Sequence, residues 1–225
     1  MPVLVVLGAA NLGGAILEHH LAAGWTGAAV SRSTPDLSAD ASDPESLRAV
    51  LAAARERFGS LDLIVNAVSA ARPTKPGPFG GGNLADADVE DFRGWTGAVA
   101  EQSFVFLSEG AKAISPGGTL IQVTGGSARR PLPGKGLWGA GAAATRALTL
   151  ASAQELRERG IHVALLVIDA TIESPKTASY TADAPPNSLG DMGQIAGAVE
   201  FLASQSARSY THELVLTPSG DRWIP

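Results

Sequence analysis

The chain has 225 residues, enough for one large α/β core; its 45% hydrophobic and 17% charged composition excludes a disordered polymer, and no apolar stretch is long enough to span a bilayer. Seventeen Lys and Arg against 22 Asp and Glu give a net charge of −5 without any basic run, which argues against a nucleic-acid partner. Without cysteine there is no disulfide, thiolate metal site or Cys nucleophile, and no basic segment precedes a cleavable apolar stretch, so a cytoplasmic location with no membrane partner is expected.

Val3 to Leu7 is a continuous apolar run, as for a strand buried on both faces of a parallel sheet. A turn at Gly8-Ala9-Ala10-Asn11 follows, and Leu12, Ile16, Leu17 and Leu21 then recur at helical spacing up to Gly24. Thr26 to Ser31 reads as a second strand. Asp43-Pro44 is a cap with proline at the first helical position, and Leu47, Val50, Leu51, Ala54 and Phe58 share one face before Gly59. Asp62 to Val68 is the next strand, and Phe92, Trp95, Val99 and Phe106 mark a long crossover helix. The alternation continues through a strand at Gly118 to Thr124, a helix at Leu137 to Leu156, a strand at Ile161 to Ile168, a helix at Ile195 to Leu202 and a strand at Leu214 to Thr217. This order predicts a single doubly wound parallel sheet with helices on both faces, residues 1–225 forming one domain and the ligand crevice lying at the carboxyl ends of the strands.

Residues 71 to 87 and 170 to 190, rich in Pro and Gly, interrupt the alternation without ending it and read as long loops over the crevice, either substrate lids or surface insertions. His19, His20, His162 and His212 lack the spacing of a metal site, so no metal is expected and they read as helix-end or surface groups.

The glycine turn would place bare backbone N–H groups and a positive helix end beside an anion such as a dinucleotide pyrophosphate, although Gly8 and Gly13 also suit a tight, closely packed turn. Further motifs follow in register: Arg32 after the second strand, Asp40-Ala41, Leu61-Asp62-Leu63-Ile64-Val65-Asn66-Ala67, Ala153-Gln154-Glu155-Leu156 and Gly160-Ile161-His162-Val163. Together they resemble the short-chain dehydrogenase/reductase family over Val3 to Thr217, with a Rossmann-like fold. The resemblance implies that Gly8, Ala9, Asn11, Leu12 and Gly13 hold the pyrophosphate, that Asp40 and Ala41 meet adenine, and that Asn66, Ala67, Val68 and Ile172 line the cofactor.

The family's glycine pattern fits in two ways. Ungapped, it falls on Gly8, Leu12 and Gly14, with a bulky side chain near phosphate. With a loop one residue shorter, Asn11-Leu12-Gly13 replaces Gly-Leu-Gly; that register is preferred because Asn best tolerates positive φ among non-glycine residues. Ser31-Arg32-Ser33 ends the second strand where an acid would bind a ribose diol and a guanidinium a 2′-phosphate, so NADP(H) is favoured over NAD(H), an ordinary exposed arginine being the alternative.

In the family a tyrosine transfers the proton, a lysine lowers its pKa and holds ribose, a serine polarises the carbonyl and an asparagine supports a relay water. Carried onto this chain by motif counting, those positions fall on Trp138, Ala142, Gly125 and Val99, and all four groups are replaced. An indole N–H donates a hydrogen bond but does not exchange a proton at neutral pH, so Trp138 reads as an apolar wall of the pocket. The chain resembles an atypical bacterial branch of the family in which the tyrosine is already another aromatic. Weak substitutes for the proton donor are Thr124, Ser127, Lys135 and Tyr180.

The resemblance thus implies an NADP(H)-dependent oxidoreductase acting on a small-molecule carbonyl or alcohol with a nonstandard active site, as a homo-oligomer, dimer or tetramer. Its rivals are a catalytically silent cofactor-binding or partner subunit and a non-redox enzyme reusing the crevice.

Overall fold

The computed structural model describes residues 1–34, 37–68, 73 and 77–221, the Tyr180 side chain excepted. In chain order the elements are β1 (Val3–Leu7), α1 (Leu12–Ala22), β2 (Thr26–Val30), α2 (Pro44–Phe58) and β3 (Leu63–Asn66). Then α3 (Val89–Phe92), a π-helical turn over Arg93–Gly97 and α4 (Ala98–Ala113) run on as one helical stretch, followed by β4 (Thr119–Gly125), α5 (Gly136–Glu155) and β5 (His162–Ile168). The chain continues with β6 (Thr171–Ile172), α6 (Ala178–Thr181), β7 (Leu189–Gly190), α7 (Met192–Ala203) and β8 (Glu213–Leu216).

Six strands pair in parallel in the order β2-β1-β3-β4-β5-β8, and β6 pairs with β7 apart from them. β1 sits between β2 and β3, so the winding reverses there and opens a crevice at the carboxyl ends of the strands. The apolar runs of the strands are explained by their two faces. Val3, Val5 and Leu7 pack with Leu47 and Leu51 of α2, Phe106 of α4 and Ala153 of α5, whereas Leu4 and Val6 pack with Ile16 of α1 and Val199 of α7. Both layers exclude water, and the sheet is held between them.

Local signals set the helix ends. Asp43 accepts the Ser46 N–H at 2.6 Å, Pro44 occupies the first turn of α2, and Gly59 closes it at φ 86. The π-turn places Trp95 in the core, but Phe92 stays exposed, contrary to the expectation that it lies on the buried face. Leu21 is likewise exposed on α1, and its neighbour His20 is the buried residue.

The histidines are not surface groups throughout. His20 is fully buried, its Nδ1–H donating to the Ile16 carbonyl at 2.8 Å and its ring edge-on to Trp25. His162, also buried, donates from Nε2 to the Thr211 carbonyl at 2.9 Å and stacks on Tyr210 with centroids 4.1 Å apart. Burial lowers the pKa of both rings, which keeps them neutral. The 170–190 segment is not a plain loop either, since it contains β6, α6 and β7.

One ion cluster ties α2 to α4. Glu109 accepts from Arg48 Nε at 2.9 Å and from Lys112 Nζ at 2.6 Å, and these hydrogen bonds hold its carboxyl at about 2, below its ordinary 4.5. Its side chain is only 4% exposed, but Arg48 and Lys112 are 58% and 60% exposed, so solvent screening leaves about 1 kcal/mol of stabilisation. Because the folded pKa is the lower one, this contribution is complete above pH 4.5 and disappears as the pH falls toward about 2. Glu109→Gln should therefore be less stable than wild type at pH 7, and the gap in thermal unfolding midpoint should narrow progressively below pH 4.5. A gap independent of pH would show that the charge contributes nothing.

Candidate active site

At the carboxyl end of β1 the chain turns sharply into α1. Gly8 has φ 98 and donates its N–H to the Val30 carbonyl at 2.8 Å. Asn11 has φ 48 and ψ −115, and is the one non-glycine residue at positive φ among the described residues. Gly13 packs so tightly that a Cβ there would lie 1.6 Å from the Gly8 oxygen, whereas one at Gly14 would meet only the Ala9 oxygen at 3.2 Å. The close-packing glycine is thus Gly13, as in the shorter of the two registers. The N–H groups of Ala9, Ala10, Asn11 and Leu12 have no acceptor among the described residues. Four bare donors at the N-terminus of an eleven-residue helix form a cradle for an anion.

The neighbouring strand ends complete the crevice wall. After β2, Ser31 bridges to Ser38, its hydroxyl bonds to those of Ser33 and Thr34, and Arg32 is exposed with no ion pair among the described residues. Asp40 is exposed, its Oδ1 accepting from the Ser42 N–H, and Ala41 packs into the core against α2. At the end of β3, Asn66 is buried in an amide network: its Nδ2 donates to Gln122 Oε1 at 2.8 Å and to Gln102 Oε1 at 3.1 Å, and its Oδ1 accepts from the Val68 N–H at 3.3 Å. Gln102 and Gln122 thereby fix the backbone of Ala67 and Val68; neither was apparent from motif counting. Ile172 lies in β6, packed on the α7 side of the sheet.

The four positions onto which motif counting carries the family's catalytic groups are closed or bare. Val99 and Ala142 are buried where α4 and α5 cross, a Cβ at Gly141 lying 2.9 Å from Val99 Cβ. Trp138 packs against Phe79 and Trp95, with ring centroids 5.3 and 6.2 Å away. Phe79 arrives from the first proline-rich segment, whose glycines Gly80, Gly81 and Gly82 all have positive φ. That conformation lets the backbone lie against Lys135 and Leu137, where a Cβ at Gly81 would stand 2.7 Å from Leu137 Cδ1. Residues 69–72 and 74–76 of that segment lie outside the described residues. A cavity of about 460 Å³ beside Trp95 is lined by Pro78, Gly82, Asn83, Asp86 and Asp91.

The hydroxyls of Thr124 and Ser127, on either side of Gly125, have no hydrogen bond among the described residues. Lys135 is exposed, with Nζ 5.8 Å from the Phe79 ring centroid. Tyr180 falls within α6, but its side chain lies outside the described residues. Beside Gly125 stands a pair that the family pattern does not reveal: Arg130 Nη2 donates to Asp169 Oδ1 at 2.9 Å, and Asp169 is buried. An acid directly after the apolar strand Val163–Ile168 was the available signal.

A family model described as enoyl-(acyl carrier protein) reductase matches residues 20–220. The 2,5-dichloro-2,5-cyclohexadiene-1,4-diol dehydrogenase LinX of Sphingobium indicum is 30% identical over 186 residues, covering 76% of this chain and 69% of that protein. The chain belongs to the short-chain dehydrogenase/reductase family. This family member is also 27% identical to the trans-4-hydroxycyclohexanecarboxylate dehydrogenase of Sinomonas cyclohexanicum over 176 residues, 76% of this chain and 64% of that one. Its fold matches a short-chain dehydrogenase/reductase from Serratia marcescens, with TM-score 0.78, 22% identity and 96% of each chain covered. It also matches an NADPH-bound short-chain oxidoreductase from Pseudomonas aeruginosa with an atypical catalytic centre, with TM-score 0.80, 20% identity, and 99% and 98% covered. Among the described residues no helix is long and apolar enough to cross a membrane.

Proposed function

We propose that the chain, acting as one dinucleotide-binding domain in the cytoplasm, binds NADP(H) in preference to NAD(H) and interconverts a small alcohol and its carbonyl compound. The observation that carries this reading is that the N–H groups of Ala9 to Leu12, without an acceptor among the described residues, stand near the exposed Arg32 at the next strand end, which has no ion pair among the described residues. The backbone donors would hold the pyrophosphate, Arg32 the 2′-phosphate with help from Ser31 and Ser33, Asp40 and Ala41 the adenine, and Asn66 to Val68 with Ile172 the remainder of the coenzyme. When bound, the nicotinamide supplies or accepts the hydride. Thr124 and Ser127 offer hydroxyls to a substrate oxygen, and with no tyrosine at Trp138 the proton is exchanged with solvent through such a hydroxyl. Both curated relatives are named for hydroxylated six-membered carbocycles, which makes a ring alcohol the first substrate class to assay.

Fluorescence titration with NADPH and NADH tests the binding half. NADPH should bind more tightly, and Arg32→Ala should weaken NADPH by about tenfold or more while leaving NADH nearly unchanged. Equal losses for the two coenzymes would remove the 2′-phosphate role. A change in nicotinamide absorbance on adding a cyclic alcohol or ketone tests the redox half.

A second reading, a silent coenzyme-binding subunit, is favoured by the packing of Trp138 against Trp95 and Phe79, which puts apolar surface where the family keeps its acid. NADPH binding without turnover of any carbonyl or alcohol would decide for it. We also propose a homo-oligomer, which sedimentation of the purified chain would reveal.

A further inference from the structure

Three pieces of chain meet beyond the carboxyl ends of β4, β5 and β8. The turn after β4 contributes Arg130, whose Nη2 donates to Asp169 Oδ1 at 2.9 Å and stands 3.4 Å from Asp221 Oδ2. Asp169 caps the end of β5; its side chain is 8% exposed, and its own N–H donates to the Leu216 carbonyl at 2.9 Å. Asp221 follows β8, in a segment where the Gly220 N–H donates to the Asn187 carbonyl at 2.8 Å, within the turn just before β7. A Cβ at Gly220 would come within 2.9 Å of that carbonyl oxygen, so the two segments lie in direct contact.

Residues 173–190 are held mainly by short-range bonds, such as Thr177 Oγ1 to the Ile172 carbonyl and the Glu173 N–H to the Gly190 carbonyl. They contain the four-residue helix α6 and end in the two-residue strand β7, elements too short to be stable in isolation. The segment and the start of α7 themselves line a cavity of about 740 Å³, among others through Ser174, Thr181, Leu189 and Met192. The segment that leaves β8 supplies an external tie at Asn187, and that segment is in turn anchored on Arg130.

We infer that Arg130 is a latch: by bridging Asp169 and Asp221 it clamps the segment after β8 onto residues 173–190 and so holds them in place around the cavity they enclose. Arg130 is 26% and Asp221 27% exposed at the side chain, so the Arg130–Asp221 contact is weak enough to open, while the Arg130–Asp169 contact stays as its fixed end. The latch is a property of the chain itself and stands whether or not a dinucleotide binds.

Hydrogen–deuterium exchange on the full chain tests it. In Asp221→Asn and in Gly220→Ala, peptides from 173–190 should exchange about fivefold faster than in wild type, while α2 keeps the wild-type rate. Asp221→Glu, which keeps the charge, should restore slow exchange. Unchanged exchange in 173–190 would overturn the latch, and so would a parallel rise in α2, because the contact would then serve only general stability. Asp221 and Gly220 are chosen because both leave the buried Asp169–Arg130 pair intact, so the fold is retained.

Discussion

Replacing Gly13 with alanine should unseat the first helix and abolish NADPH binding, whereas Gly14→Ala should be tolerated. The added Cβ at 13 would lie 1.6 Å from the Gly8 oxygen and 2.8 Å from the Gly8 carbon, both backbone atoms that no rotamer change can move. Relief requires the turn between β1 and α1 to open. That pulls Leu12 and Ile16 away from Leu4 and Val6 and scatters the N–H groups of Ala9 to Leu12. Overpacking against fixed backbone costs about 3 kcal/mol or more, and NADPH affinity should fall at least about a hundredfold. At Gly14 the nearest atom is the Ala9 oxygen at 3.2 Å, and alanine is the better helix former, so stability should change by less than about 1 kcal/mol. Urea unfolding and coenzyme titration of both variants check this. If Gly14→Ala proved the damaging change, the longer glycine register would be correct after all.

That pair of glycines marks how far the sequence was legible. Sheet and helix order followed from periodicity because the inner strands β1, β3 and β5 are buried on both faces and the long helices on one, so pattern and environment coincide. The bounds shifted by a few residues where pairing partners end: β3 stops at Asn66, opposite Leu7, rather than at Val68. Asn11 at positive φ was legible, since asparagine is among the non-glycine residues that most often take positive φ. What periodicity could not show was contact between distant segments. The amide network of Asn66, Gln102 and Gln122, the Arg130–Asp169 pair, and Phe79 lying on Trp138 join residues that no spacing rule connects. The buried histidines escaped for a related reason, since hydrogen bonds to the carbonyls of Ile16 and Thr211 are what make their burial possible.

Gly126→Ala should be the second most damaging substitution, and the damage should depend on Asp169. A Cβ at 126 would fall 1.8 Å from Asp169 Oδ1 and 2.3 Å from its Cγ, in space the buried carboxylate already fills. The neighbouring position differs: among the described residues, a Cβ at Gly125 would have only the Ile168 oxygen within reach, at 3.9 Å. Packing therefore does not forbid a serine at 125, whereas it forbids any side chain at 126 while Asp169 is present. Alanine at 126 must push the carboxylate off Arg130, and leaving the buried acid without its partly exposed partner costs about 2 kcal/mol. In an Asp169→Ala background the same methyl group enters vacated space, and its cost should drop below about 1 kcal/mol. A double-mutant cycle by urea unfolding measures the coupling between the two positions. A cycle that closes additively would mean that Asp169 does not occupy the space beside Gly126.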